Sequence, residues 1–242
     1  MKIKMMTYNI QSGHNLQRDR DVRHAVNTIH AENPDILNLN EVHHCTELCE
    51  NGKCQAEQIA EALGYPYVRF GKAIDHMGGQ YGNALLSRFP ILESQVFPIP
   101  GISEEEKKLC VWPEDRSHMR NVLDINGREI VVLSVHYGLN PPEQKNAVAE
   151  TLRLSEKENR PLVFLGDLNM EPDNPLLAPV FAALSDTAEK GEGSMLTYPS
   201  DEPTGKIDYI FQKGFETLRS YVPVSIDSDH RPVAAVLELE EK

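Results

Sequence analysis

The sequence has no long hydrophobic run, and this limits where the protein can reside. No apolar segment approaches the roughly 20 residues that a membrane-spanning helix needs. Residues 1–9 enter an alternating strand pattern directly, without the apolar core of a signal peptide. We therefore expect a cytoplasmic protein without a membrane span, in which cysteines are kept reduced.

Basic residues are scarce relative to acidic ones. Lys and Arg together number 24 against 37 Asp and Glu, which gives a net charge of −13. A field of that sign repels polyanions, whereas non-specific binding to duplex DNA requires basic side chains that neutralise phosphates. The composition therefore disfavours a nucleic-acid partner, unless a local basic groove is present.

Internal repeats, low-complexity segments and linkers rich in glycine or serine are also missing. A chain of 242 residues can bury one large core. We therefore expect a single domain, residues 1–242, in which strands dominate and helices are few. The sequence does not indicate an oligomeric state.

Hydrophobic periodicity predicts the order of the elements. Strands are expected at 2–8, 35–41, 65–70, from 83 onward, and at 91–99, 119–125, 129–137, 162–165, 206–211, 217–223 and 233–239. Helices are expected at 19–33, 55–63 and 141–157. Asn126-Gly127 predicts a tight hairpin turn. The glycine-rich segment 71–82 and the charged segment 100–114 are expected to be loops. Residues 171–200 are expected to be mostly loop with short helical pieces.

The most informative stretch is 162–169, in which four apolar residues precede Gly166, Asp167 and Asn169. The apolar run predicts a strand buried on both faces, and Gly166 allows a sharp turn at its end. Residues i and i+2 of extended backbone point the same way, so Asp167 and Asn169 can face one spot. Such a pair is more often a turn or a helix cap. The alternative is a hydrolytic site that polarises water and holds an oxyanion.

Polar side chains recur where predicted strands end, and Asp208 lies inside one. The others are Asn9, Glu41, His136, Asp167, Asn169, Asp229 and His230. So many acids need charge compensation when they are partly buried. Carboxylate and amide oxygens are ligands for Mg²⁺ or Mn²⁺ rather than Zn²⁺. The pattern therefore indicates a site for a hard divalent cation.

These residues lie in segments that resemble the signature motifs of the endonuclease/exonuclease/phosphatase superfamily. The four motifs are Thr7-Tyr8-Asn9, Leu39-Asn40-Glu41, Gly166-Asp167-Leu168-Asn169 and Ser228-Asp229-His230. Segments 82–90 and 206–210 are similar to two further family segments. The superfamily includes pancreatic deoxyribonuclease, AP endonucleases, inositol polyphosphate 5-phosphatases, neutral sphingomyelinases and tyrosyl-DNA phosphodiesterases. Six segments in the same order, over nearly the whole chain, make the resemblance specific.

The resemblance implies an α/β fold, a four-layer α-β-β-α sandwich with two mixed β-sheets face to face and helices outside. It also implies a phosphoric ester hydrolase that uses Mg²⁺ or Mn²⁺ and an in-line attack by water. Glu41 would be the main metal ligand, with Asp229 beside it. Asp167 would orient or deprotonate the water. His230 would pair with Asp208 and act as a general base or as a phosphate-binding cation.

Further residues would bind the substrate. The resemblance implies that Asn9 and Asn169 hold phosphate oxygens or the nucleophile, and that His136 contacts the phosphate. Asn83 is a further substrate-binding candidate, although a structural role is open for it, as it is for His136. Gln11 stands where some DNA-repair members have Asp, which removes a possible metal ligand and weakens an AP endonuclease assignment. For Asp208, Lys206 and Arg219 are alternative partners.

The segment 43–54, which carries two histidines and three cysteines, is the least expected part of the chain. Its Cys-x3-Cys-x4-Cys spacing is not a standard zinc pattern. A structural metal site, a disulfide and a substrate-shaping loop with free thiols are the alternatives.

We expect the substrate to be a phosphorylated small molecule or phospholipid-like. A nuclease or tyrosyl-DNA phosphodiesterase is the second hypothesis, and it would require a basic groove built from Arg69, Lys72, Arg88, Arg116 and Arg120. A non-catalytic binding domain on the same fold is the third. The intact set of acids argues against it.

Overall fold

The computed structural model describes residues 1–49 and 53–239 of the chain. In chain order its strands are β1 (Lys2–Asn9), β2 (Ile36–His44), β3 (Tyr67–His76), β4 (Gly79–Ser87), β5 (Ile91–Pro98), β6 (Ser117–Ile125), β7 (Arg128–His136), β8 (Leu162–Asp167), β9 (Ser185–Asp186), β10 (Gly191–Glu192), β11 (Asp208–Lys213), β12 (Phe215–Tyr221) and β13 (Val233–Leu239). The helices are α1 (Val22–Glu32), α2 (Gln55–Leu63), α3 (Glu104–Lys107), α4 (Pro141–Glu156) and α5 (Ala178–Ala183). Short 3-10 turns cover Gln11–Gly13, Pro175–Leu177 and Thr187–Lys190.

The strands form two mixed sheets. The first has the order β10-β12-β13-β1-β2-β4-β3, and the second has the order β5-β6-β7-β8-β11-β9. β1 and β2 are parallel in the first sheet, and β7 and β8 are parallel in the second. Since parallel neighbours end on the same side of a sheet, each pair brings two strand ends together at one edge.

Successive side chains of a strand face opposite sides of the sheet, so the core consists of three apolar layers. Met5 of β1 and Val163 of β8 belong to the cluster between the sheets. Met6 packs with residues of α1 and α2 on the outer face of the first sheet. Phe164 packs with residues of α4 and α5 on the outer face of the second. Burial on both faces of β1 and β8 explains their nearly continuous apolar sequence. The predicted four-layer sandwich is confirmed.

Most predicted elements are confirmed, including the helix at 55–63 and the hairpin around Asn126-Gly127. The prediction of a loop at 71–82 is wrong, because β3 continues to His76 and β4 begins at Gly79. The glycines in this segment allow close packing. A Cβ atom on Gly82 would lie 2.1 Å from the carbonyl oxygen of Gly71 on the neighbouring strand. Composition alone does not distinguish this use of glycine from a flexible loop.

Other expected loops contain short regular elements. The segment 100–114 includes α3, and 171–200 includes α5, β9 and β10. Of the segment 43–54, the structure describes residues 43–49 and 53–54. In the two described ranges, no helix has both the length and the apolar character required to cross a membrane. The cytoplasmic location and the single-domain organisation stay predictions.

Candidate active site

Polar strand ends meet at one edge of the gap between the two sheets. Asn9, the last residue of β1, lies beside Asn40, which is inside β2. His136, Asp167 and Asp208 are neighbours across β7, β8 and β11. Each lies an even number of residues from an inward-facing core residue of its own strand, so its side chain faces the gap. Asn9 Nδ2 donates a hydrogen bond to Asp167 Oδ2 at 3.1 Å and thereby joins the two sheets.

Gly166 controls the position of Asp167. Its φ is +149°, and a Cβ atom on it would lie 1.9 Å from the carbonyl oxygen of Val135 on β7. Only glycine has both the conformational freedom and the small size for this approach. Asp167 follows directly and is 1% exposed. Its Oδ1 accepts a hydrogen bond from the backbone N–H of Asn169 at 2.9 Å, which fixes the carboxylate.

Asp208 and His230 form a buried pair next to Asp167. His230 Nδ1 lies 2.9 Å from Asp208 Oδ2, and His230 Nε2 lies 3.7 Å from Asp167 Oδ2. The alternative partners considered for Asp208 are engaged elsewhere: Lys206 pairs with Asp186, and Arg219 with Glu192. The expected Asp208–His230 pairing is therefore the one in the structure.

The charges in this cluster shift the pKa of both central groups upward. Burial alone would lower the pKa of His230, but the carboxylates of Asp208 and Asp167 outweigh it and raise the pKa far above the usual range. Burial, reinforced by the charge of Asp208, raises the pKa of Asp167. At neutral pH His230 is therefore a cation between two acids. Asp167 is a stronger base than an ordinary carboxylate.

His136 is the neutral histidine of the site. Arg116 Nη1 donates to His136 Nδ1 at 3.1 Å, and a guanidinium group can only donate. The ring proton is therefore on Nε2, which lies 3.4 Å from Asp167 Oδ2. Burial, together with the positive charges of Arg116 and His230, lowers the pKa of His136 well below its usual range. Asn169 Nδ2 lies 3.2 Å from His136 Nε2. It donates a hydrogen bond to the carbonyl oxygen of Tyr137.

Glu41 and Asp229 supply carboxylates on the side of the first sheet. A register shift in β2 between Leu39 and Val42 accompanies a φ of +61° at Glu41. Its Oε1 accepts a hydrogen bond from Asn9 Nδ2 at 3.0 Å. Asp229 Oδ2 accepts one from Gln11 Nε2 at 2.8 Å. The irregularity in β2 thus coincides with the acid predicted to bind metal.

The donor set around these two acids fits a hard cation. The hydrogen-bond donors that the structure shows on them are neutral groups of Asn9, Gln11 and Ser228. Burial raises the pKa of Asp229, and the charge of Glu41 raises it further. Gln11 Oε1 is buried and has no hydrogen-bond partner among the described residues. Glu41, Asp229 and this amide oxygen therefore offer an oxygen-only site of the kind that suits Mg²⁺ or Mn²⁺.

Asn40 is a site residue for which sequence analysis predicted no role. Its Oδ1 accepts a hydrogen bond from the backbone N–H of Asp167 at 3.2 Å, and its Nδ2 donates to Val135 and Asn83. Asn38 and Asn40 lie two residues apart and so share the inward face of β2. Two asparagines on the inward face of one strand were the feature of the sequence that could have indicated this role. Asn83 is buried and bonds Asn40 at 2.7 Å. Its role in substrate binding stays a prediction.

A cavity of about 400 Å³ lies beside the cluster and includes Arg116 in its lining. Its charged lining residues are Asp75, Lys107, Glu114, Asp115, Arg116 and Glu143. Charges of both signs therefore surround a space that adjoins the histidine and asparagine side of the site. Such a lining suits a polar group that carries both hydrogen-bond donors and acceptors.

The sequence model of the Endonuclease/Exonuclease/phosphatase family matches residues 6–230. This match spans the four motifs whose residues form the cluster, so the chain belongs to this family. Its members are phosphoester hydrolases, which makes the polar cluster a candidate hydrolytic site.

Individual relatives match this chain over nearly its whole length. The uncharacterized protein YbhP of Escherichia coli K12 is 27% identical over 98% of this chain and 96% of its own. A family member from Beutenbergia cavernae has a TM-score of 0.78 at 24% identity, covering 98% of this chain and 72% of that one. The mannosyl-6-phosphatase of Bacteroides thetaiotaomicron has a TM-score of 0.75 at 18% identity, with 97% and 99% coverage. A truncated TDP2 of Caenorhabditis elegans has a TM-score of 0.72 at 16% identity, with 98% coverage of both chains. The last three comparisons support the fold alone.

Proposed function

We propose that the protein is a Mg²⁺- or Mn²⁺-dependent phosphoesterase that hydrolyses a small or lipid-like phosphate ester by in-line attack of water. The observation that carries this proposal is the cluster of Asp167, Asp208 and His230, whose ligand atoms lie within 4.8 Å of one another. The cluster holds a buried base and a fixed cation side by side. Phosphoryl transfer requires such a base for the water, together with positive charge facing the phosphoryl oxygens.

Each residue of the site has a distinct part in this mechanism. Asp167, with its raised pKa, accepts the proton of the attacking water. His230, held as a cation by Asp208, faces the phosphoryl oxygens and stabilises the charge that develops on them. Asn9 and Asn169 orient the water and phosphate through their amide groups. His136 donates from Nε2, the nitrogen left protonated by Arg116.

The metal would be held by Glu41 and Asp229, with the amide oxygen of Gln11 as a further donor. When bound, a divalent cation supplies Lewis-acid polarisation of the phosphate and neutralises its charge. Asn9 connects the two halves of the site, because the same Nδ2 donates to Glu41 and to Asp167. The water-activating acid and the metal ligand are thus fixed relative to one another.

The placement of basic residues favours a small substrate over a nucleic acid. Arg116 is the one of the five candidate groove residues that contacts the cluster in the described structure. Arg88 donates to Asn33 and lies over the ring of Tyr65. Arg120 pairs with Glu158. These two are therefore committed to structural contacts away from His136 and Asp167.

Of the other two candidate residues, Lys72 is paired with an acid, which leaves Arg69 as a single exposed cation on β3. Lys72 Nζ is 2.6 Å from Asp75 Oδ1, and Arg69 donates to the carbonyl oxygen of Val68 in its own strand. A nucleic acid would need several uncompensated cations along its backbone. The cavity beside Arg116, with acids in its lining, suits a neutral polar leaving group better. The phosphatase among the structural neighbours, whose name specifies a sugar phosphate, is consistent with this choice.

A substrate panel tests this proposal. We expect kcat/KM to be higher for sugar phosphates, inositol phosphates or glycerophospholipids than for single-stranded or duplex DNA. Asp167→Asn should abolish turnover of the preferred substrate, whereas Asp173→Asn, at an exposed acid, should leave it unchanged. Preference for a nucleic acid would instead support the nuclease or tyrosyl-DNA phosphodiesterase alternative. No turnover of any substrate with Mg²⁺ or Mn²⁺ present would support a non-catalytic binding domain.

A further inference from the structure

A second cluster of metal-binding side chains lies beyond the end of β2. The ligand atoms of His44, Cys45 and Cys54 lie within 4.8 Å of one another. His44 and Cys45 follow Glu41 on the same strand and its exit, while Cys54 immediately precedes α2. These three residues, here called the thiol–imidazole cluster, are separate from the residues assigned above to catalysis and to Mg²⁺ or Mn²⁺ binding.

The chemistry of the cluster differs from that of the active site. Two sulfur atoms and an imidazole nitrogen are soft or borderline ligands, which favour Zn²⁺ over Mg²⁺. Cys54 is buried and Cys45 is exposed, so the cluster reaches from the protein interior to solvent. A cation can therefore enter from the Cys45 side and still have a partly enclosed position.

The spacing of the two sulfur atoms is closer to that of two zinc-bound thiolates than to that of a disulfide. Cys45 Sγ and Cys54 Sγ are 3.3 Å apart. Two thiolates at tetrahedral positions around zinc lie about 3.8 Å apart, given a Zn–S bond of about 2.3 Å. A disulfide requires an S–S distance of about 2.05 Å. Zinc binding therefore needs a displacement of about 0.5 Å, against about 1.3 Å for a disulfide.

The surroundings hold His44 and Cys54 in place. The ring of His44 stacks on Phe70, with centroids 4.4 Å apart and planes 10° from parallel. The start of α2 is tied to β2 by Gln55, whose Oε1 accepts from the backbone N–H of His43 at 2.8 Å. Glu57 Oε2 accepts from the backbone N–H of Cys54 at 3.2 Å. Such fixed supporting contacts are what a metal site needs to orient its ligands.

We propose that His44, Cys45 and Cys54 form a zinc-binding site, distinct from the hydrolytic centre, that fastens the end of β2 to the start of α2. With three protein ligands, the fourth tetrahedral position is left to water or a further ligand. The bound zinc would link Cys45, at the exit of the strand that carries Glu41, to Cys54, which precedes α2.

Metal content of the purified full-length chain tests the site. The protein is prepared with Zn²⁺ present under reducing conditions, passed through a desalting column and analysed for zinc by plasma mass spectrometry. We expect about one zinc per chain in the wild type and a loss of most of it in Cys45→Ser, Cys54→Ser and His44→Ala. Cys110→Ser, at a cysteine outside the cluster, should keep the wild-type content.

Cys45→Ser is the decisive variant, because its side chain is exposed and the change leaves the core intact. Cobalt replacement adds a readout that carboxylates cannot produce. Co²⁺ bound to thiolates gives a sulfur-to-metal charge-transfer absorption, which we expect in the wild type and in Cys110→Ser, and reduced in Cys45→Ser.

Three results would overturn the zinc site. They are wild-type zinc content no higher than that of Cys45→Ser, unchanged content in both cysteine variants, and a Cys45–Cys54 disulfide in the protein kept under reducing conditions. None of these readouts involves phosphoester hydrolysis, so they are independent of the proposed function.

Discussion

At the scale of single residues, Asp167 is the point on which the site converges. Asn9 reaches it from the first sheet, and so does His230 from the turn before β13, while His136 lies beside it in the second sheet. Asn40 accepts a hydrogen bond from its backbone N–H. Its burial prevents water from screening these contacts. A change in any neighbouring charge should therefore alter the basicity of Asp167 and the charge of His230.

Asp208→Asn should demonstrate this dependence. The amide preserves the shape of the side chain but removes the charge that raises the pKa of His230. We expect the His230 pKa, followed by NMR, to fall, and kcat on the preferred phosphoester to drop by about a hundredfold or more. Asp173→Asn should change neither quantity. A wild-type kcat in Asp208→Asn would show that the cation at His230 is not needed.

At the scale of elements, the strand pattern could be predicted from the sequence, but the meaning of its glycines could not. Alternation and apolar runs identified β1, β8 and the β6–β7 hairpin, because each side of those strands is buried in a defined way. The β3–β4 hairpin was not predicted, because a glycine-rich composition is equally consistent with a loop. Their role depends on a neighbouring strand, which sequence periodicity does not reveal.

Gly82→Ala tests the close approach of β3 and β4. The added methyl group would meet the carbonyl oxygen of Gly71 at 2.1 Å, so the strands must separate. We expect the free energy of unfolding, measured with urea, to fall by about 1–3 kcal/mol. Gly101→Ala is the matched control, since the nearest atom to its added methyl group would be Asp115 Oδ1 at 3.9 Å. Equal unfolding midpoints for the two variants would contradict the tight packing.

At the scale of the whole molecule, some of the many acids are compensated by ion pairs with arginines remote from the site. Glu158 accepts hydrogen bonds from Arg120 at 2.6 Å and from Arg160 at 2.7 Å. Burial alone would raise the pKa of Glu158, but these two arginines outweigh it and lower the pKa to about 2. The ionised carboxylate is therefore favoured in the folded chain and stabilises it.

Glu158→Gln should reveal this contribution as a function of pH. A lowered pKa stabilises the folded state above the unfolded value of about 4.3, and the effect is lost as pH falls toward about 2. We expect the variant to be less stable by about 1–2 kcal/mol at neutral pH, with the difference vanishing below about pH 2. Glu156→Gln, at an exposed acid, should follow the wild type. A difference independent of pH would contradict the charge effect.

Part of the candidate site could be predicted from the sequence, because several of its residues lie at the ends of recognisable strands. Motif order indicated Asn9, Glu41, Asp167 and His230, because each follows or closes a recognisable strand. The contacts of Asn40 and Arg116 were not indicated, since they cross between elements distant in sequence. Such contacts depend on how the two sheets face one another, which local patterns do not specify.

The central claim is that water attacks phosphorus at this cluster with the help of a divalent cation. The most direct measurement is the rate of hydrolysis of bis-p-nitrophenyl phosphate by protein treated with EDTA, before and after Mg²⁺ or Mn²⁺ is restored. We predict that the rate collapses with EDTA and returns with the metal in the wild type, but not in Asp167→Asn. A full rate in metal-free protein, or an equal rate in Asp167→Asn, would contradict the account.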